Sequence, residues 1–232
     1  MIAAATTNLA RPDEVRTAVL AAVIAGGLAL DQAVAWGQTA VNVVVWALFV
    51  HLLRGADRPG RVLLLACMLL AGLGECLLSL VWGLYDYRLG NVPLFVPPGH
   101  ALLLLLGIQM AARVPRGVTW WVPVAAAPLV AWQAASGIDR LGVLLFALLL
   151  AAMAISPARR LYAVMFALAL AMELYGTWLG NWRWREAAPG LELAMQNPPL
   201  CAGAFYGVLD LLVLGVMRVM LRPTSTGPAS RS

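Results

Sequence analysis

The sequence predicts an all-α integral membrane protein with about eight transmembrane helices, arranged as two parallel four-helix repeats. Three observations support that class. The 232 residues are 62% hydrophobic and 12% charged, with a mean hydropathy of +0.83, which is the composition of a membrane protein. The interruptions cut the apolar sequence into runs close to the ~20 residues that cross a bilayer. A polar, aromatic-rich motif also occurs twice, once after Glu75 and once after Glu173.

Taken in order, the runs cover residues 15–34, 37–53, 61–84, 93–112, 118–136, 139–156, 159–180 and 198–221. The first division is the weakest, because only Asp31, Gln32, Gly37 and Gln38 mark it, so seven spans is the alternative. Every basic side chain is arginine, and their placement orients the runs. With eight spans, Arg11, Arg16, Arg54, Arg58, Arg61, Arg113, Arg116, Arg159, Arg160, Arg218, Arg222 and Arg231 share one side. Arg88, Arg140, Arg183 and Arg185 take the other, and the positive-inside rule makes the richer side, with both termini, cytoplasmic. The expected location is a bacterial inner membrane. Residues 1–114 form the first repeat and 115–222 the second, and the Ser, Thr, Gly and Pro of residues 223–232 read as a disordered cytoplasmic tail.

Composition also excludes several classes. The net charge of +5 comes from arginines scattered over short loops, so no nucleic-acid surface is indicated. Cys67, Cys76 and Cys201 lie singly in apolar runs, which argues against a disulfide framework or a zinc site. The N-terminus has Asp13 and Glu14 beside Arg11 and Arg16 and no small-residue cleavage site, so a removable signal peptide is not expected. There is no glycine-rich phosphate loop followed by Lys, no Gly-x-Ser-x-Gly elbow and no pair of histidines at metal spacing. No metal and no organic cofactor is expected.

The repeated segments are "ECLLSLVWGLYDYRLGNVPLFVPPGHA" and "ELYGTWLGNWRWREAAPGLELAMQNPPLCAG". Each runs from a glutamate within a span to a glycine, an aromatic-x-aromatic triplet and a paired proline opening the next span. Gly83, Tyr85, Tyr87 and Pro97-Pro98 follow Glu75; Gly180, Trp182, Trp184 and Pro198-Pro199 follow Glu173. An even number of spans separates the copies, so both keep one orientation, the parallel kind of repeat.

Glu75 and Glu173 lie 14 residues into their runs, ~21 Å from the arginine-rich side and past the midplane. A carboxyl at that depth is costly to ionise, can stay neutral as a proton donor, and counts as a functional candidate. Asp210, near the middle of the last run, belongs with them, and packing glue between helices is the plainer reading of all three. His100 falls in the first turn after Pro97-Pro98, placed for a proton shuttle or a substrate donor. Asn197 before Pro198-Pro199 reads as a helix start or a ligand contact. The stretch from Pro98 to Ala112 is only fifteen residues long, so "NVPLFV" is expected to enter the membrane as non-helical backbone. Trp82, Tyr85, Tyr87, Trp178, Trp182, Trp184 and Tyr206 form either an interfacial belt or a substrate pocket whose ring faces stabilise a cation by ~0.5 to 2 kcal/mol each. Asp86, Glu186 or lipid head groups are the expected partners of Arg88, Arg183 and Arg185.

With "GLYDY" and "NVPLFVPPGH" in one half and "GNWRW" and "MQNPPLCAG" in the other, the chain resembles membrane-embedded carotenoid-biosynthesis proteins of the carotenoid hydratase type. It resembles the lycopene cyclase domains of the heterodimeric type more distantly. The likeness covers residues 61–112 and 159–212; "PPGH" and "PPLC" stand where the cyclase domains carry Pro-x-Glu-Glu. A separate similarity is to membrane terpene cyclases, whose early Glu and late Asp would match Glu75 and Asp210. The resemblance implies an acid-catalysed enzyme acting on an isoprenoid or carotenoid double bond by hydration, cyclisation or isomerisation. Its catalytic residues would be Glu75, Glu173, Asp210 and His100, in contact with a hydrophobic substrate and membrane lipids. A non-enzymatic carotenoid- or lipid-binding subunit, in a homo-oligomer or membrane complex, is the first alternative, and a proton-coupled transporter is the second.

Overall fold

The structure, a computed structural model, describes residues 7–222; the tail at 223–232 lies outside the described residues, as do residues 1–6. Helices dominate. Helix α1 (Glu14–Ala33) is capped by Asp13, whose carboxylate accepts from the Arg16 amide at 2.9 Å. Helix α2 (Gly37–Gly55) follows a tight reversal, and a Cβ at Gly37 would overlap the Leu30 carbonyl, so the first two runs form two separate helices. Helix α3 (Arg58–Glu75) begins on Asp57 with Pro59 in its first turn, which suits a residue without an N–H. Immediately after Glu75 it widens into a π-helical turn over Cys76–Val81, the Trp82 amide donating to the Leu77 carbonyl at 2.7 Å. Such wide turns recur at functional sites.

Strand β1 (Tyr85–Tyr87) leads, through irregular backbone at 88–95, to α4 (Val96–Arg113). Helices α5 (Trp121–Ala135) and α6 (Leu141–Ile155) come next, then α7 (Arg159–Leu179), which stops on Gly180 at φ +87°. That left-handed C-cap is one that glycine adopts without steric cost. Strand β2 (Trp182–Trp184), the small hairpin of β3 (Ala187–Ala188) and β4 (Leu193–Ala194), and α8 (Gly203–Met220) complete the chain. The all-α expectation is therefore corrected in one respect. The two aromatic-x-aromatic triplets are strands, paired antiparallel with Tyr85 opposite Trp184, Asp86 opposite Arg183 and Tyr87 opposite Trp182. Alternation with period two is what puts both aromatics of each triplet on one face.

Four helical segments, Gly37–Gly55, Arg58–Val81, Arg159–Leu179 and Gly203–Met220, are long and apolar enough to cross a membrane. A fifth span results if α4 and α5, which meet at 115°, are counted as one bent unit; α6 is apolar but short. At the centre, α3 packs on α4 and α8, while α7 packs on α8 and α4. Helices α1 and α2 pair with each other and lean on α4, and α6 joins α8 and α7. One end of the bundle gathers the N-terminal segment, the α2–α3 turn and the end of α4. There Thr7 Oγ1 and the Asn8 amide donate to Asp57, and Gln109 bonds the Asp13 amide and the carbonyls of Leu9 and Arg11. The paired strands close the opposite end.

Candidate functional site

A cavity of about 320 Å³ lies under the paired strands, walled by α1, α2, α3, α4, α7 and α8. Glu75 comes from the last turn of α3, Glu173 from α7, His100 from the first turn of α4 and Tyr206 from the first turn of α8, and all four line it. Tyr85, Tyr87, Trp182 and Trp184 form its lid. The rest of the wall is apolar. Leu77 and Leu212 border the cavity and are also exposed on the outer surface of α3 and α8.

The two glutamates, each almost fully buried, are held alike. Glu75 Oε2 accepts from the hydroxyls of Tyr85 and Tyr87, both at 2.7 Å. Glu173 Oε2 accepts from the indole N–H groups of Trp182 at 2.7 Å and Trp184 at 2.9 Å. Each glutamate thus takes two donors on one oxygen from the strand that follows it. The other oxygen of each has one longer contact: Glu75 Oε1 lies 3.4 Å from His100 Nε2, and Glu173 Oε1 lies 3.4 Å from the Tyr206 hydroxyl. His100 and Tyr206 stack nearly parallel, with ring centroids 5.1 Å apart. His100 Nδ1 is 3.0 Å from the Val96 carbonyl, which can only accept, so Nδ1 carries a proton and Nε2 faces the carboxyl.

A second cluster anchors the lid. Arg88, just after β1, donates to the Asp31 carbonyl at 2.7 Å and to its carboxylate at 3.0 Å, and Asn181 donates to the other carboxylate oxygen at 2.8 Å. Asn181 also reaches the Leu28 carbonyl at 3.1 Å. The strand pair is therefore clamped to the end of α1. Arg88 takes Asp31 and not Asp86; Asp86 pairs with Arg185 at 3.4 Å on the outer face.

Comparison of the chain with protein-family models, curated proteins and solved structures gives no match. The chemistry of the site rests on its own residues. Of the candidates named from sequence, Glu75, Glu173, His100, Tyr85, Tyr87, Trp182, Trp184 and Tyr206 come together. Four do not line the cavity. Trp178 is 78% exposed and stacks on Tyr175, because it falls on the outer face of α7. Trp82 directs its indole N–H to the Pro189 carbonyl at 2.9 Å. Asn197 accepts from the Trp184 amide at 2.9 Å and so holds β2 rather than the cavity. Asp210 is buried on α8, neither of its oxygens has a hydrogen-bond partner among the described residues, and it does not line the cavity.

Phe95, Phe205 and Met172 line the cavity but carried no chemical signal in the sequence, since apolar side chains are abundant throughout. Phe205 sits a stacked 6.4 Å from Trp184. Asp31 and Asn181 were also missed as a pair, being brought together only by the fold, although an acid at the end of an apolar run was a usable cue.

Proposed function

We propose that this chain is a membrane-embedded acid catalyst acting on an isoprenoid or carotenoid double bond. One observation carries the reading: two buried glutamates, each with one oxygen fixed and the other less engaged, face a single apolar cavity roofed by aromatic rings. Transfer of a carboxyl proton to one carbon of the double bond leaves the other carbon cationic. The ring faces of Tyr85, Trp182 and Trp184 stabilise that charge by ~0.5 to 2 kcal/mol each. Water addition followed by loss of its proton gives an alcohol; attack by a second alkene or loss of a neighbouring proton gives a ring or an isomer. In each case one proton is lent and one returned. A cavity near the lower end of the ~300 to 1,000 Å³ typical of ligand sites suits one end of a long polyene, which reaches it from the bilayer past Leu77 and Leu212.

We further propose that all eight helices cross the bacterial inner membrane with both termini cytoplasmic, as two repeats over residues 1–114 and 115–222. The matched bonding of Glu75 and Glu173, and the matched packing of α3 with α4 and of α7 with α8, support a duplication related to carotenoid hydratase-type proteins. A second reading, a carotenoid- or lipid-binding subunit, is favoured by the saturation of both Oε2 atoms, which also suits a purely structural acid. Expression in a polyene-producing host separates the readings. New pigment products that vanish in Glu75→Gln and Glu173→Gln support the enzyme. Unchanged products with co-purifying pigment support binding, and substrate-dependent proton flux in liposomes would point to transport.

A further inference from the structure

The paired strands have two faces, and the proposed chemistry uses only the inner one. On the outer side a second depression, of about 330 Å³, takes Asp86, Arg88, Thr177, Arg183 and Asn197 into its lining. Its negative groups are engaged. Arg185 takes Asp86 at 3.4 Å, and the amides of Gly180 and Asn181 take the Gly176 and Thr177 carbonyls at the C-terminus of α7. Its donors are not. Arg88 spends only Nη2 on Asp31, which holds the guanidinium in place and leaves Nε and Nη1 without a partner among the described residues. Asn197 is fixed through Oδ1 by the Trp184 amide, and its Nδ2 is likewise open. Arg183 stands opposite Asp86 in the strand register, but Asp86 turns to Arg185, and Arg183 makes no ion pair among the described residues.

We propose that this depression binds the phosphodiester of a membrane phospholipid. The guanidiniums of Arg88, Arg183 and Arg185 set against the carboxylates of Asp31 and Asp86 leave one positive charge, which the single negative charge of a phosphodiester balances. The planar fork of Arg183 can give two parallel N–H groups to two oxygens of one phosphate, a geometry that an ammonium group lacks. Arg88 and Asn197 add donors already held in position by their other bonds. The surroundings select a lipid over a phosphate from solution. Trp178, next to Thr177, is 78% exposed and stacks on Tyr175 with ring centroids 6.1 Å apart. Exposed Trp and Tyr side chains lie at the headgroup level of a bilayer. A phosphate in the depression therefore has its acyl chains running down the outer face of α7, where Leu174 is also exposed. The lipid holds the lid from outside, as Asp31 holds it from α1. This site does not depend on the acid-catalysis reading.

The test titrates the full chain, purified in a neutral detergent, with phosphatidylglycerol, with diacylglycerol carrying the same acyl chains, and with inorganic phosphate. Bound lipid is read by native mass spectrometry and bound phosphate by phosphorus NMR. Phosphatidylglycerol should bind about tenfold or more tightly than diacylglycerol, the range of a lost hydrogen bond to a charged group. Arg183→Gln should erase that difference, Arg183→Lys should restore part of it, and Arg140→Gln, at an arginine outside the depression, should leave it intact. Arg183 is exposed and makes no ion pair among the described residues, so Arg183→Gln should keep the wild-type unfolding midpoint, and its lost binding is then loss of the site. A preference for phosphatidylglycerol that survives Arg183→Gln overturns the site. Equal affinity for the two lipids overturns the lipid as its occupant, and Arg183-dependent binding of inorganic phosphate in that case assigns the site to a phosphate from solution. No arm contains a polyene, so the lipid titrations and the pigment assays can fail separately.

Discussion

Replacement of Gly176 by alanine should destabilise the protein, and should do so through Trp182 alone. A Cβ at Gly176 would lie 2.7 Å from Trp182 Cζ3 and closer still to Cζ2 and Cη2, all rigid ring atoms. Carbon atoms settle at ~3.5 to 4.0 Å, so the ring must move by about 1.5 Å to clear its nearest atom. Its N–H is held at 2.7 Å by Glu173, and that movement stretches the bond past useful length. Overpacking costs ~1 to 3 kcal/mol. The weakened bond adds about 1 kcal/mol, at the low end because Trp184 still donates to the same oxygen. Equilibrium unfolding in detergent should therefore register a loss of about 2 to 4 kcal/mol. In a Trp182→Ala background the same glycine substitution should cost less than ~0.5 kcal/mol, a coupling characteristic of direct contact. Equal costs in both backgrounds would refute the seating of Trp182 on Gly176, and with it the placement of that indole beside Glu173.

Three further outcomes are expected. Arg88→Ala should lower stability by about 2 kcal/mol, below the ~3 to 5 kcal/mol of a fully buried pair, since Arg88 is a quarter exposed and Asn181 still serves Asp31; limited proteolysis of the 82–95 segment should report the loosened lid. Asp57, at the loop end of the bundle, titrates below its ordinary value: burial acts in the opposite direction, but bonds from Thr7 and from the Asn8 and Gly60 amides outweigh it. Its contribution to stability is then present above the ordinary value of 3.8 and lost as pH falls through the lower folded value, so Asp57→Asn should flatten the acid limb of a stability–pH curve. Trp178→Ala should leave the pigment products of the proposed activity unchanged, whereas Trp184→Phe, which removes a donor to Glu173, should reduce them.

Helix positions were readable because apolar runs and their breaks are strong signals: the run expected at 15–34 is α1 (Glu14–Ala33), and that at 159–180 is α7 (Arg159–Leu179). The glutamates and aromatic triplets could be found because polar groups stand out against Leu, Ala and Val. What the triplets do was not legible. Three-residue strands give too little alternation to identify, and their pairing joins segments from opposite halves of the chain. Trp178 and Trp182 illustrate the other limit. Both lie near the motif, yet Trp178 occupies the exposed face of a helix and Trp182 the inner face of a strand. Composition cannot distinguish those directions; only the register can.

On the duplication proposed above, the two halves kept one scaffold and exchanged one kind of donor. The first copy offers two phenols to its glutamate, and the second offers two indoles. A phenol hydroxyl donates and accepts, so Glu75 has partners able to reorient when its protonation changes. An indole N–H only donates, so the bonds to Glu173 Oε2 are one-directional and leave Oε1 as the oxygen to carry a proton. The same divergence recurs in the following helices, where His100 stands beside Glu75 and Tyr206 beside Glu173. A symmetric pair of acids would have no built-in direction. Unequal partners around a shared cavity set the two glutamates in different surroundings, as the proposed acid catalysis would require if one carboxyl lends a proton and the other recovers it.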